Sequence, residues 1–502
     1  MTLSANPSLY QINTRVILGE ISQSLDRRAS LDDIPDEYLD RIARFGFDWV
    51  WLLGIWQTGM VAREISRTRE EWQAEIHECL PDVTDDDISG SPFAVQDYSV
   101  HEEFGGDKAL ARIRERLKER GFKLLLDFVP NHTAPDHHWV SEHPEYYIQG
   151  DGGDLEREPN NYCEVETGAG KLVLAHGRDP YFPGWADTLQ LNYRHPGFRQ
   201  AIHDELSRIA ARCDGVRCDM AMLVLPDIFQ QTWGDASHPP DTEPDDTPFW
   251  PDAIEQIRGE HPDFVFMAEV YWDLETVLQE QGFDYTYDKK LYDHLTAQDA
   301  SKAKAILFGD SSYLRRSSHF LENHDEPRAS STFPPEVHQA AAVVSFLIPG
   351  LRFFHEGQIK GRKVKVSMHV GRRQSEPTDP GVMDFYIRLL ECLSRDEANN
   401  GEWQVLECHQ AWDDNDTWDQ FIAFSWLGEN RQRMLVTVNY GSIPGQCYVK
   451  LPLGDLEGRR FLLRDLMSES WFEREGDEMR AGGLYLELPP WGYHVFELEP
   501  SD

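Results

Sequence analysis

Short apolar runs, each followed by a longer amphipathic stretch, constrain this chain more than any other feature. Eight such runs read as strands: Tyr10–Leu18, Trp49–Leu53, Lys123–Phe128, Gly215–Cys218, Phe264–Ala268, Tyr285 with its neighbours, His319–Leu321 and Leu351–Phe354. Near-continuous hydrophobic runs belong to strands buried on both faces, which parallel sheets require. The stretches between them have helical spacing, as in Lys108–Arg120, where Leu110, Ile113 and Leu117 share one face. Phe198–Cys213 and Asp384–Leu393 read the same way. Eight strand–helix units predict an α/β fold, a (β/α)8 TIM barrel, in which one unit averages about 31 residues.

Departures from that average locate insertions. The interval from Asp127 to Asp219 is about three units long, so a small irregular domain rich in Gly, Asp, Pro and Tyr, at 133–188, is expected after strand three. A lesser surplus, Met60–Gly106, follows strand two. The barrel then occupies 1–132 and 189–400. Beyond about residue 400 the pattern changes to short alternating runs such as Phe421–Trp426, Met434–Asn439 and Tyr493–Leu498. Alternation of that kind predicts a C-terminal antiparallel β-domain over 401–502.

Composition narrows the partners. Lys and Arg number 48 against 88 Asp and Glu, a formal charge of −40 in 502 residues. Such a surface repels phosphate backbones and anionic lipid, which argues against nucleic-acid and membrane partners. The acidity suits either ordinary solubility or a salty cytoplasm, and composition does not choose between them. Aromatic residues at 12% mark a folded protein rather than an acidic disordered chain. No apolar run approaches the ~18 residues of a membrane span, and the first residues lack a signal peptide's basic and apolar regions, so a cytoplasmic protein is expected. The seven cysteines are irregularly spaced, without a CxxC pair, and are expected to be reduced thiols.

Active sites of such barrels lie at the C-terminal ends of the strands. There the runs close on polar groups: Asp127 with Asn131 and His132 after strand three, Arg217 and Asp219 at strand four, Glu269 at strand five, and Asn323, His324 and Asp325 at strand seven. Gathering so much charge for structure alone is costly. Retaining glycoside hydrolysis supplies a reason, since one ionised carboxylate attacks the anomeric carbon while a second, protonated one serves the leaving oxygen.

The stretches DFVPNH, GVRCDMAM, FMAEV and FLENHDEPR, in this order and spacing, resemble the four motif regions of the α-amylase superfamily, glycoside hydrolase family 13. The resemblance covers most of the chain. It implies Asp219 as nucleophile, Glu269 as general acid/base, and Asp325 as the carboxylate that holds sugar hydroxyls. It also implies that Arg217 orients Asp219, that His132 and His324 bond the same sugar ring, and that Asp127 braces the site. Phe93, in Ser91-Pro-Phe-Ala-Val-Gln-Asp-Tyr98, stands where many relatives stack a Tyr on the sugar. Met222 and Leu223 replace the Lys-His pair that typical α-amylases carry after the nucleophile. Gln190 replaces an Asp that often binds calcium, so no metal or other cofactor is expected, although Asn131 remains. The resemblance points to a small carbohydrate substrate with α-glucosidic bonds, cleaved by water or transferred to a sugar or phosphate by the same acids. Trp56, Trp185 and Trp272 are further candidates for stacking on sugar rings.

Overall fold

The computed structural model describes residues 4–168, 170–239 and 242–501. Its centre is a closed barrel of eight parallel strands. They are β1 (Ser8–Asn13), β2 (Trp49–Leu53), β3 (Lys123–Phe128), β4 (Gly215–Cys218), β5 (Val265–Ala268), β6 (Tyr285–Tyr287), β7 (Ser317–His319) and β8 (Leu351–His355). Each strand pairs with its neighbours in sequence, and β8 closes on β1 through pairs such as Leu9 with Phe353. The expected (β/α)8 fold is therefore the observed one.

Two strands differ from expectation by two residues or more, for local reasons. The run Tyr10–Leu18 is not all strand: β1 stops at Asn13, whose side chain accepts from the Val16 N–H and caps a helix over Thr14–Leu25. A capping Asn ends the extended backbone although apolar Val16, Ile17 and Leu18 continue the run, now buried in the first turns of the helix. At β7 the strand is Ser317–His319, so Phe320 and Leu321 lie beyond its end, buried, Phe320 with its ring against Tyr287 and Phe353.

After β3 the chain forms a three-stranded antiparallel sheet of Gln149–Gly150, Gly170–Ala175 and Tyr162–Thr167. After β2 it forms a hairpin of Trp56–Thr58 with Val95–Val100, enclosing helices Met60–Thr68 and Glu70–Cys79. The C-terminal region carries a six-stranded and a three-stranded antiparallel sheet. Among the described residues, no helix is long and apolar enough to cross a membrane. The seven cysteines are free thiols, all buried except the partly exposed Cys163.

One hydrophobic core runs from the barrel into the larger C-terminal sheet, joining Phe346 and Phe354 to Phe424, Trp426, Val436 and Tyr440. Two side chains pin the junction with hydrogen bonds to barrel carbonyls. Trp426 Nε1 donates to Leu347 O at 2.7 Å, and Tyr440 Oη donates to Leu295 O at 2.7 Å. Trp426→Ala should cost about 3–5 kcal/mol, the range for emptying a buried aromatic site. Urea unfolding is expected to show an earlier midpoint and still one cooperative transition. A separate early transition of the C-terminal sheets would refute this continuity.

Candidate active site

Strand register assembles the acidic residues. Asp127 of β3 is aligned with Arg217 of β4, and Arg217 with Met267 of β5. Side chains alternate along a strand, so Asp219 and Glu269, two residues on, share the inward parity one layer higher. Backbone bonds hold both in place, with Asp219 N–H on Phe128 O at 2.8 Å and Glu269 N–H on Cys218 O at 3.0 Å.

Arg217 is fully buried and stands at the centre. Its Nη1 lies 2.5 Å from Asp219 Oδ1, and its Nη2 lies 2.8 Å from Glu269 Oε2 and 3.9 Å from Asp325 Oδ2. The rings of Phe93, Trp51 and Tyr287 lie 5.2, 5.5 and 5.7 Å from the guanidinium carbon. Aromatic faces stabilise a cation where water is excluded. Tyr287 Oη also accepts from Arg217 Nε at 3.4 Å.

Glu269 is bound from several directions. Its Oε2 also accepts from the Met220 N–H at 2.7 Å, and Tyr271 Oη donates to its Oε1 at 2.8 Å. Met220 adopts φ +42°, the left-handed region, although it is not glycine. This unfavourable turn directly after Asp219 points a backbone N–H at Glu269, and such strain clusters at functional sites. Burial pushes the Glu269 carboxyl up to about 7, against the pull of Arg217 and with the help of Asp219 and Asp325. One guanidinium faces three carboxylates, so one of them keeps its proton near neutrality.

Asp325 differs in exposure: its side chain is 39% accessible, against 7% for Asp219 and 5% for Glu269. It therefore faces the open mouth. Its turn is held by Asn323 Oδ1, which accepts from the N–H groups of Asp325 and Glu326, both at 2.8 Å. His324 is buried, which lowers its pKa to about 4 and leaves the ring neutral. The Gln11 amide donates to His324 Nδ1 at 2.9 Å, which keeps the imidazole proton on Nε2, 3.0 Å from Asp325 Oδ2. The Phe93 and His324 rings are 5.4 Å apart.

Asp127 sits below, accepting from Gly54 N–H at 2.7 Å and Trp51 Nε1 at 3.0 Å. Burial raises its carboxyl to about 6 despite these donors and Arg217. His132 is buried beside Trp185, ring to ring at 5.2 Å, and burial lowers its pKa. The structure thus gathers Asp219, Glu269, Asp325, Arg217, Phe93 and His324 around one mouth, with Asp127 beneath and His132 at the start of the insertion.

Trp56 does not reach the mouth, because it is fully buried with Nε1 on Asp127 O at 2.7 Å. Tyr271, Tyr287, Gln11 and Lys365, whose Nζ is 2.5 Å from Asp325 O, are contributors that sequence reasoning missed. Gln11 left a trace, as a polar residue inside a strand buried on both faces. Arg328 pairs with Glu322 at 2.5 Å and Glu356 with Arg373, and both line the small cavity that His324 also lines.

At the position where relatives often bind calcium, Gln190 Nε2 donates to Asn131 Oδ1 at 3.0 Å and to Leu191 O at 3.1 Å. This N–H takes one of the two lone pairs of the Asn131 oxygen, and two neutral amides supply none of the carboxylate charge that a calcium site uses. Among the described residues no group of three or more His, Cys, Asp or Glu is placed to hold a metal.

Residues 34–418 match the family model of the alpha amylase catalytic domain. The chain therefore belongs to the alpha-amylase family of glycoside hydrolases. It is 23% identical over 459 residues to alpha-amylase MalA of Haloarcula japonica, covering 89% of this chain and 57% of that protein. A shorter match, 32% over 153 residues, is to the alpha-1,4-glucan:maltose-1-phosphate maltosyltransferase of Salinibacter ruber, covering 28% of this chain and 21% of that one. The crystal structure of a maltogenic alpha-amylase, AmyB, from Thermotoga neapolitana superposes with a TM-score of 0.69 at 18% identity, covering 98% of both chains. The chain spans about half the length of the curated relatives it matches.

The Asn131–Gln190 pair generates a prediction. The melting temperature should stay within about 1 °C on adding a chelator or excess calcium, since no bound ion would be removed or gained. A chelator-induced fall of several degrees, measured by differential scanning fluorimetry, would contradict the amide pairing.

Proposed function

We propose that the chain is a retaining glycoside hydrolase acting on α-glucosidic bonds in small oligosaccharides or α-glucosides. The observation that carries this reading is the single guanidinium of Arg217 shared by Asp219 and Glu269. A shared guanidinium supports a close pair of carboxylates, and retaining enzymes set theirs about 5–5.5 Å apart. In this reading Asp219, held in place by Arg217, attacks the anomeric carbon. Glu269, kept protonated by burial, gives its proton to the departing oxygen and later takes one from water. Asp325 and His324 hold hydroxyls of the same sugar, with Phe93 against its face, His132 at its edge and Asp127 bracing Arg217 from below.

Transfer of the glycosyl group to a sugar or phosphate is a second reading. Its support is the stretch that is 32% identical to a protein named as a maltosyltransferase. Product analysis with and without added maltose or phosphate separates the two, because only transfer gives longer oligosaccharides or a sugar phosphate.

Asp219→Asn is expected to abolish formation of a covalent glycosyl-enzyme from an activated fluoroglucoside, read by intact-protein mass. Glu269→Gln should lower kcat by about 10²–10⁴-fold. The wild type should still accumulate the adduct, and its failure to do so would refute the double displacement.

The alkaline limb follows from Glu269, which must be protonated to act. kcat/KM is expected to hold below its free-enzyme pKa and to fall as pH rises through about 7. Tyr271→Phe removes a donor that favours the ionised carboxylate, so this limb should move to higher pH. A limb near the ordinary carboxylate range, or one unmoved by Tyr271→Phe, would contradict the assignment.

A further inference from the structure

β8, β1 and β2 are neighbours in the closed barrel, and β5, which leads directly into Glu269, lies diametrically opposite β1. Above β1, the segments that follow β2 and β8 are fused. Ser89 N–H donates to His369 O at 2.8 Å and Gly371 N–H to Asp87 O at 2.9 Å, around an antiparallel bridge between Ile88 and Val370. Arg372 grips Asp87 with Nε at 2.8 Å and Nη2 at 2.9 Å, and reaches Asp82 at 3.2 Å. Ile76, Leu80, Ile88 and Val370 form a small apolar core behind the seam.

The helix after β1 joins the same seam. Buried Arg15 donates to Gly90 O at 2.7 Å, Ser89 Oγ at 3.0 Å and Thr58 Oγ1 at 3.0 Å. Gly19 lies so close that a Cβ there would stand 2.3 Å from Gly371 O. Both fused segments run within a few residues into the site. One ends at Phe93, 5.2 Å from the Arg217 guanidinium, and the other carries Lys365, bonded to Asp325 O. The space left between Asn13, His324, His355 and Lys365 is only ≈ 10 Å³, about the least that holds one water.

The far rim is different. Tyr181 and Phe182 are 60% and 67% exposed there, and the Tyr181 ring meets Trp272, three residues after Glu269, at 4.9 Å.

This inference rests on the glycosidase reading. A general acid stands on the leaving-group side of the scissile bond. The leaving group therefore lies toward Glu269 and the open aromatic rim, and the glycosyl residue under attack lies toward the fused wall. We infer that this wall ends the site after one sugar, so that the chain removes single glucosyl residues from non-reducing ends and does not cut within a chain. The Arg372–Asp87 seam is its specificity determinant, acting by exclusion rather than by contact with the reacting atoms.

The test compares p-nitrophenyl maltotrioside with the same compound blocked at its non-reducing end by a 4,6-ethylidene group. Chromatography is expected to show glucose as the first sugar released from the free compound, with the blocked one turned over at least about 10²-fold more slowly. Equal turnover of both overturns the wall and leaves the glycosidase reading standing. Inertness of both, and of every simple α-glucoside, overturns the two together. Arg372→Ala should raise turnover of the blocked compound relative to the free one by about tenfold or more. Asp82→Asn, which loosens only the weaker contact, should change that ratio less and shows whether the seam tolerates substitution. An unchanged ratio in a folded Arg372→Ala protein overturns the role of the seam.

Discussion

A guanidinium with no access to water, placed between carboxylates, is the constraint on which the rest of this site depends. Transferring Arg217 from water to the barrel axis costs several kcal/mol, and only close, well-directed partners offset that. Asp219 and Glu269 supply them at 2.5 and 2.8 Å, and aromatic rings enclose the cation on its other faces. The dependence also runs the other way. Without Arg217, the buried Asp219 and Glu269 would stand together with no cation between them. Arg217 thus holds Asp219 directly, while burial and the neighbouring carboxylates push the Glu269 carboxyl up to about 7.

That division of labour is written partly in backbone. β4 and β5 are aligned so that Arg217 is level with Met267, and Asp219 and Glu269 leave their strands together. Met220 in a left-handed conformation then donates its N–H to Glu269. A non-glycine residue accepts such a φ only where surrounding contacts fix it. Here the Ala221 N–H on Glu269 O and the buried run Ala221–Val224 hold the turn.

Much of this was legible in the chain, because strand-end residues announce themselves. A polar group that closes an apolar run must emerge at the barrel rim, so Asp219 and Glu269 could be placed without coordinates, and so could the turn carrying Asp325. Residues of the same site that also read as core were not legible. Tyr271, Tyr287 and Trp51 look like ordinary barrel aromatics until distances attach them to Glu269, Arg217 and Asp127. The Arg372–Asp87 seam joins residues 285 apart in sequence, and nothing local to either marks the pairing. Tyr10–Leu18 failed as one strand for the opposite reason, since a short-range capping bond at Asn13 overrode a hydrophobic run.

The acidity of the chain acts on a different scale from the site. Arg112, Arg116 and Arg120 project from one face of the helix over Gly106–Glu119 and its C-cap onto Asp32, Asp36 and Asp40, an exposed ladder tying that helix to the short helices Leu31–Asp33 and Asp36–Arg44. Exposed pairs of this kind each contribute little, about 0–1 kcal/mol, and salt weakens them further. Salt also screens repulsion among the surplus surface carboxylates within a Debye length of about 8 Å at 0.15 M and 3 Å at 1 M. Arg217, Asp219 and Glu269 lie in contact and nearly out of water, where salt screens them much less. Salt therefore rebalances the surface, loosening the ladder while relieving the repulsion of a −40 chain. The proton on Glu269 depends instead on burial and on neighbours a few ångströms away, so the same site chemistry is compatible with either dilute or salty surroundings.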